Sequence, residues 1–209
     1  IDDNTIIAAG DSGIIIRTTN GGTNWNLLQR QNGAINQRIS FPTQDTGYIV
    51  GNSGRILKSI NRGLTWTQQT SGTSTFLLSL DFLNANTGAV GGTTKILLTT
   101  NGGINWINQD IPFFPLEQIV GISQLDSITT LGVSVSTFGT QYKTTNSGLN
   151  WISSSLGIPL VFGGVDIIRD ISFANANTGL MVCDLGGIFK TTNAGNNWLR
   201  DSSFIPSSK

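Results

Sequence analysis

Five tryptophans, at positions 25, 66, 106, 151 and 198, each close the same short pattern: RTTNGGTNW, KSINRGLTW, LTTNGGINW, KTTNSGLNW and KTTNAGNNW. They are all the tryptophans in the chain, and they fall 41, 40, 45 and 47 residues apart. A period of that size is the length of a four-stranded blade, so internal repetition constrains this chain more than any local propensity does.

Each period reads as four short strands with polar turns between them. In the fifth, IRDISF, LMVCD and IFKTT alternate apolar and polar residues, and the turns ANANTG, LGG and NAGNN separate them from each other and from the strand that Trp198 opens. The second and third periods repeat the plan. No segment holds a helical period, so the chain is read as all-β. A lone four-stranded sheet has two faces to cover, and packing sheets radially around an axis covers them. The expectation is a β-propeller of five four-stranded blades, or a five-blade part of a larger propeller. A single domain is read over residues 1–209, with repeats near 1–31, 32–72, 73–115, 116–158 and 159–209. The first repeat starts inside its own blade and lacks the innermost strand, which the C-terminal FIPSSK could supply. The fourth is divergent.

Within each box the asparagine (Asn20, Asn61, Asn101, Asn146, Asn193) is expected to bond the backbone two residues on. The glycine two places later (Gly22, Gly63, Gly103, Gly148, Gly195) is expected to supply positive φ. Trp25, Trp66, Trp106, Trp151 and Trp198 are read as structural rings packed against the neighbouring sheet.

Composition narrows the function. Twelve basic residues balance twelve acidic ones and only 11% of residues are charged, so no basic field attracts nucleic acid or an anionic membrane. The single cysteine, Cys183, excludes an intrachain disulfide and a multi-cysteine metal cluster, and there is no histidine. No apolar run is long enough to span a bilayer. No metal or cofactor is expected. Few charges, many neutral polar residues and the absence of glycosylation sequons point to an exported bacterial protein.

The boxes resemble the Asp-box, or bacterial neuraminidase repeat, whose pattern is Ser/Thr-x-Asp-x-Gly-x-x-Trp. Thr18, Ser59, Thr99, Thr144 and Thr191 open the five copies, and every Asp of the family pattern is Asn here. With the upstream TGYIVGNSGRILKS and NTGLMVCDLGGIFKT, the chain looks most like the propellers of the photosystem II stability/assembly-factor group. That resemblance implies a non-enzymatic binding or assembly module recognising a protein partner. The alternative is a carbohydrate-binding or glycoside-hydrolase-related, sialidase-like propeller directed at a cell-surface glycan. Sialidases pair a tyrosine nucleophile with a glutamate, and this chain offers Tyr48, Tyr142 and Glu117. Asp81 and Asp170, on strands read as innermost, are the other carboxyl candidates.

Two connectors between blades are long, at 110–118 and 156–166. Phe113, Phe114, Leu160, Val161 and Phe162 on them form a candidate partner-binding patch, with Glu117 and Arg169 as its polar rim. The other reading is that these loops fold inward to plug the channel or cover a blade edge.

Overall fold

The computed structural model describes residues 1–109, 117–135, 139–157 and 166–201. Among them every regular element is a β-strand, and the strands form five antiparallel meanders. Blade 1 has three strands, β1 (Ile6–Ala9), β2 (Ile15–Thr18) and β3 (Asn26–Gln29). Blade 2 has β4 (Asn36–Ser40), β5 (Gly47–Gly51), β6 (Ile56–Ser59) and β7 (Thr67–Gln69). Blade 3 has β8 (Leu77–Phe82), β9 (Gly88–Gly92), β10 (Lys95–Thr99) and β11 (Ile107–Gln109). Blade 4 has β12 (Ile119–Gln124), β13 (Thr130–Ser134), β14 (Thr140–Thr144) and β15 (Ile152–Ser155). Blade 5 has β16 (Ile168–Phe173), β17 (Gly179–Cys183), β18 (Ile188–Thr191) and β19 (Leu199–Arg200). The propeller expectation holds, and among the described residues the sheet of blade 1 is β1-β2-β3. The proposed closing segment lies in 202–209, outside the described residues.

Inner strands β4, β8, β12 and β16 line a common axial pocket. Each carries a one-residue register shift near its start, between Asn36 and Arg38, Leu77 and Ser79, Ile119 and Gly121, and Ile168 and Asp170. A bulge there increases local twist and bends the strand at the axis.

Strand alternation builds the seams between blades, because successive side chains face opposite neighbours. In blade 2, Tyr48, Val50 and Ile56 pack with Val90, Leu97 and Trp106 of blade 3. Ile49 and Leu57, from the other face, pack with Ile7, Ala9 and Ile15 of blade 1. Ala89, Ile96 and Leu98 join Tyr142 across the third seam, and Leu131 and Val133 join Met181 and Phe189 across the fourth.

A polar bond reinforces three of these seams. Lys58 Nζ donates to the carbonyl of Gly102 at 2.6 Å, Lys143 Nζ to Ala194 at 2.8 Å, and Arg17 Nε to Arg62 at 3.3 Å. In every case the acceptor is the residue just before the box glycine of the next blade. Leu98 holds the donor's place in blade 3 and makes an apolar contact instead.

Inside a blade, the phenylalanine ending the inner strand meets the box tryptophan edge to face. Phe41–Trp66, Phe82–Trp106 and Phe173–Trp198 have centroids 5.8, 6.1 and 5.8 Å apart. The glycine opening the second strand makes room for that ring. A Cβ on Gly88 would lie 2.3 Å from Phe82. Blade 4 substitutes a polar pair, with the Thr130 hydroxyl donating to Gln124 Oε1 at 2.9 Å.

Burial separates the middle of the array from its ends. Strands β5, β9 and β13 are buried at every residue, whereas β1 and β17 alternate between more and less exposed positions. Among the described residues no apolar cluster joins blade 5 to blade 1. Trp25 is consequently 41% exposed while Trp106 is 8% exposed. The expectation of a ring packed on a neighbouring sheet is not met at Trp25, which among the described residues joins no apolar cluster.

Candidate functional site

The five box turns project from the outer hairpins, and their chemistry is the same in each copy. The buried Ser/Thr hydroxyl is the hub. In the third box Thr99 Oγ1 accepts the N–H groups of Gly103 at 2.9 Å and Asn101 at 3.4 Å, and donates to Asn101 Oδ1 at 3.1 Å. Asn101 Oδ1 in turn accepts the N–H of Asn105 at 3.0 Å. Asn20, Asn61, Asn146 and Asn193 likewise accept from residues 24, 65, 150 and 197. The expected bond two residues on is thus replaced by one four residues on, since the turn is wide enough to carry two left-handed residues. The box glycine has φ between 73° and 94°, as expected, and the residue before it is also left-handed, including the non-glycines Arg62, Ser147 and Ala194. Each box amide oxygen is occupied in organising the turn.

The tryptophans after the boxes use their indole N–H groups differently. Trp151 Nε1 reaches Gln109 Oε1 of the preceding blade at 3.1 Å, and Trp198 Nε1 reaches Gln141 Oε1 at 2.9 Å. Trp66 Nε1 turns to the carbonyl of Gly63.

Of the predicted patch, Phe113, Phe114, Leu160, Val161 and Phe162 lie outside the described residues. Glu117 is not a rim residue. It is buried, and its carboxylate accepts hydrogen bonds from Ser134 and Tyr142, because its own backbone is bonded to Thr94 of blade 3 and so is held against the sheet. Arg169 is exposed and engaged in a two-point ion pair with Asp184. That pairing holds the Asp184 carboxyl below the usual range.

Glu117 and Tyr142 do meet, as a tyrosine–glutamate pair must in a sialidase, but both are buried. Burial, with help from Glu117, raises the Tyr142 phenol, the opposite of what activates a phenolate nucleophile. Tyr48 is equally enclosed. It stacks on Phe82 at 3.9 Å, donates to the carbonyl of Ala85 at 2.8 Å, and is pushed up to about 12 by burial.

Asp81 and Asp170 both line the axial pocket, of about 270 Å³. Asp170 pairs with Arg38 across the axis at 3.0 Å. Asp81 Oδ2 accepts the N–H of Gln124 from blade 4 at 2.9 Å, and burial raises its carboxyl above the ordinary value. Each carboxylate is tied to structure by these partners.

A larger indentation than the axial pocket lies elsewhere, and the sequence offered no signal for it. A groove of about 750 Å³ runs along the outer seam of blades 4 and 5, between β15 and the fifth box, with Gln141, Ser154, Leu156, Lys190, Trp198 and Arg200 on its walls. Strand β15 is exposed along its length, and as the outermost strand of its sheet it has one edge that pairs with no other strand among the described residues. The groove thus combines an apolar ring, both hydrogen-bond donors and acceptors, two cations and a free strand edge. Such a site suits an extended polypeptide better than a compact solute.

Comparisons with known proteins bear on this architecture. YCF48 from Cyanidioschyzon merolae is 16% identical, with 92% of this chain and 67% of that chain covered at a TM-score of 0.68. A structure of YCF48 bound to D1 peptide is 14% identical over 98% of this chain and 80% of that one, at 0.50. The GH74 enzyme of Niastella koreensis is 17% identical over 92% of this chain and 37% of that one, at 0.64. These likenesses are likenesses of fold. A comparison with curated proteins finds no match. The sequence model described as photosynthesis system II assembly factor YCF48 matches residues 23–158 and 59–203. Those two spans take in all five box tryptophans, and on that match the chain belongs to the photosynthesis system II assembly factor YCF48 family.

Proposed function

We propose that this chain is a non-enzymatic binding module that recognises a protein partner, and that the partner's extended segment lies in the groove between blades 4 and 5. Family membership carries the first part. A YCF48 structure holding a D1 peptide supports the class of ligand. The groove's mixture of Trp198, Lys190, Arg200 and the open edge of β15 supports its place. Low charge and a solitary cysteine support an exported, bacterial setting for the same module.

The test is binding to an array of unstructured peptides alongside a glycan array, read with the tryptophan fluorescence of wild type against that of Trp198→Phe, the difference being the signal of Trp198. Peptide binding that perturbs the tryptophan signal, and that weakens about tenfold in Trp198→Ala with the fold retained, is the expected result. Binding confined to glycans, or turnover of a polysaccharide, would overturn it in favour of the carbohydrate-directed reading.

A further inference from the structure

The fifth residue of each inner strand stands at the same level of the axis. These residues are Ser40, Asp81, Ser123 and Ser172, each paired with the second residue of the following strand. All four line the axial pocket of about 270 Å³. Blade 3 therefore puts a carboxylate where the other three blades put a hydroxyl. Among the described residues the hydroxyls of Ser40, Ser123 and Ser172 have no hydrogen-bond partner. Ser123 is the telling one, because it is only 3% exposed. A hydroxyl so nearly buried normally finds a partner, and this one borders the pocket instead.

Asp81 lies beside the same stretch of blade 4. Its Oδ2 accepts the N–H of Gln124, the residue after Ser123, at 2.9 Å, and its Oδ1 accepts the N–H of Phe82 at 2.9 Å. Those two bonds fix the carboxylate but leave its charge unpaired, since both donors are neutral and each oxygen keeps a second lone pair. Among the described residues Arg38 is the one cation lining the pocket, and it is engaged with Asp170 at 3.0 Å. Burial accordingly raises the Asp81 carboxyl, and no neighbouring cation lowers it. A largely buried charge without a counter-charge is costly, and here it faces a cavity that admits one from solvent.

We infer that the axial pocket binds the primary ammonium group of a small molecule, with Asp81 as its counter-ion and the hydroxyl oxygens of Ser123, Ser40 and Ser172 as further acceptors. The chemistry of the ring selects that class. An ammonium carries three donors and no acceptor, and the ring offers one unpaired carboxylate and otherwise neutral oxygens. A divalent cation held by a single free carboxylate has too little charge around it to give up its water shell. A neutral solute leaves Asp81 unpaired. The volume, against about 30 Å³ for one water, has room for a short organic body behind the nitrogen. This site is on the axis, apart from the peptide groove, and either can fail without the other.

Calorimetric melting at neutral pH and constant ionic strength tests this, with n-propylammonium as the probe. Its melting temperature is expected to rise saturably at millimolar n-propylammonium and to stay flat with n-propanol, tetramethylammonium or calcium, which lack the charge, the N–H donors or both features of the probe. Asp81→Asn should fold and show no response, and Ser123→Ala should weaken the response about tenfold in concentration. No rise with n-propylammonium, an equal rise in Asp81→Asn, a Ser123→Ala protein that responds as wild type does, or an equal response to any of the three control solutes would each overturn the inference.

Discussion

Replacing Thr99 by valine keeps the shape of the side chain and removes only its hydroxyl, so it isolates the hub of the third box. Thr99 is 2% exposed, and water has little access to the groups it serves. The change leaves the Gly103 N–H, now bonded at 2.9 Å, without an acceptor, and strips Asn101 Oδ1 of a donor at 3.1 Å. An unsatisfied buried donor costs about 1–3 kcal/mol and a lost neutral bond about 0.5–1.5 kcal/mol. A combined loss of about 2–3 kcal/mol lowers the melting temperature of a chain this size by roughly 4–12 °C. Thr99→Ser is the control. It keeps the hydroxyl, as Ser59 does naturally in the second box, and gives up about 0.8 kcal/mol at most for the methyl group. Both variants are to be compared with wild type by calorimetry and urea unfolding. If Thr99→Val melts with wild type, or Thr99→Ser falls as far as Thr99→Val, the hydroxyl is not what organises the turn.

Asn101→Asp retains the oxygen that accepts from Asn105 and is expected to leave the fold intact, whereas Gly103→Val, at φ 80° and with a Cβ 3.1 Å from Trp106 Nε1, should strain the turn and unfold blade 3's outer hairpin; equal melting of the two would contradict this. Lys58→Met removes both the 2.6 Å bond to Gly102 and the cation over the Tyr48 ring, a loss of about 1–2 kcal/mol by urea titration; no change would mean that the apolar contact suffices, as it does at Leu98. Burial raises the Asp81 carboxyl above its ordinary 3.8, so ionising it withdraws stability as pH rises through the folded value. The melting advantage of Asp81→Asn over wild type should therefore be absent below about pH 3.8 and grow above it, and a pH-independent difference would refute that sign.

The architecture was legible because it is written in short-range code. Alternation named the strands, and the fixed distance between tryptophans counted the blades. What escaped was whatever depends on contacts a full repeat away. The lysine bonds join Lys58 to Gly102 and Lys143 to Ala194, residues 44 and 51 apart. Their trace was present in the basic residue that opens four of the five boxes, with Leu98 as the exception, but a basic residue at a strand end has many uses. Trp25 differs for the converse reason, since its box is intact while, among the described residues, no apolar cluster of a neighbouring blade includes its ring. Glu117 looked exposed because it adjoins a proline-bearing loop, and the hydroxyls of Ser134 and Tyr142 that draw it inward lie 17 and 25 residues downstream. The groove at blades 4 and 5 arises from the relative placement of two sheets and has no counterpart in any single segment.

Among the described residues every sheet is a simple meander in which each strand pairs only with the strand before and after it. For these strands, a chain emerging from the ribosome pairs each one with the strand made just before it. About forty residues after a blade begins, its last hairpin is closed by a box whose bonds span no more than four residues, and the finished sheet can settle on the blade made just before it. Synthesis and folding run in the same direction and in the same units. The slow, aggregation-exposed stage that long-range strand pairing imposes on other β proteins is confined to the docking of one small sheet at a time.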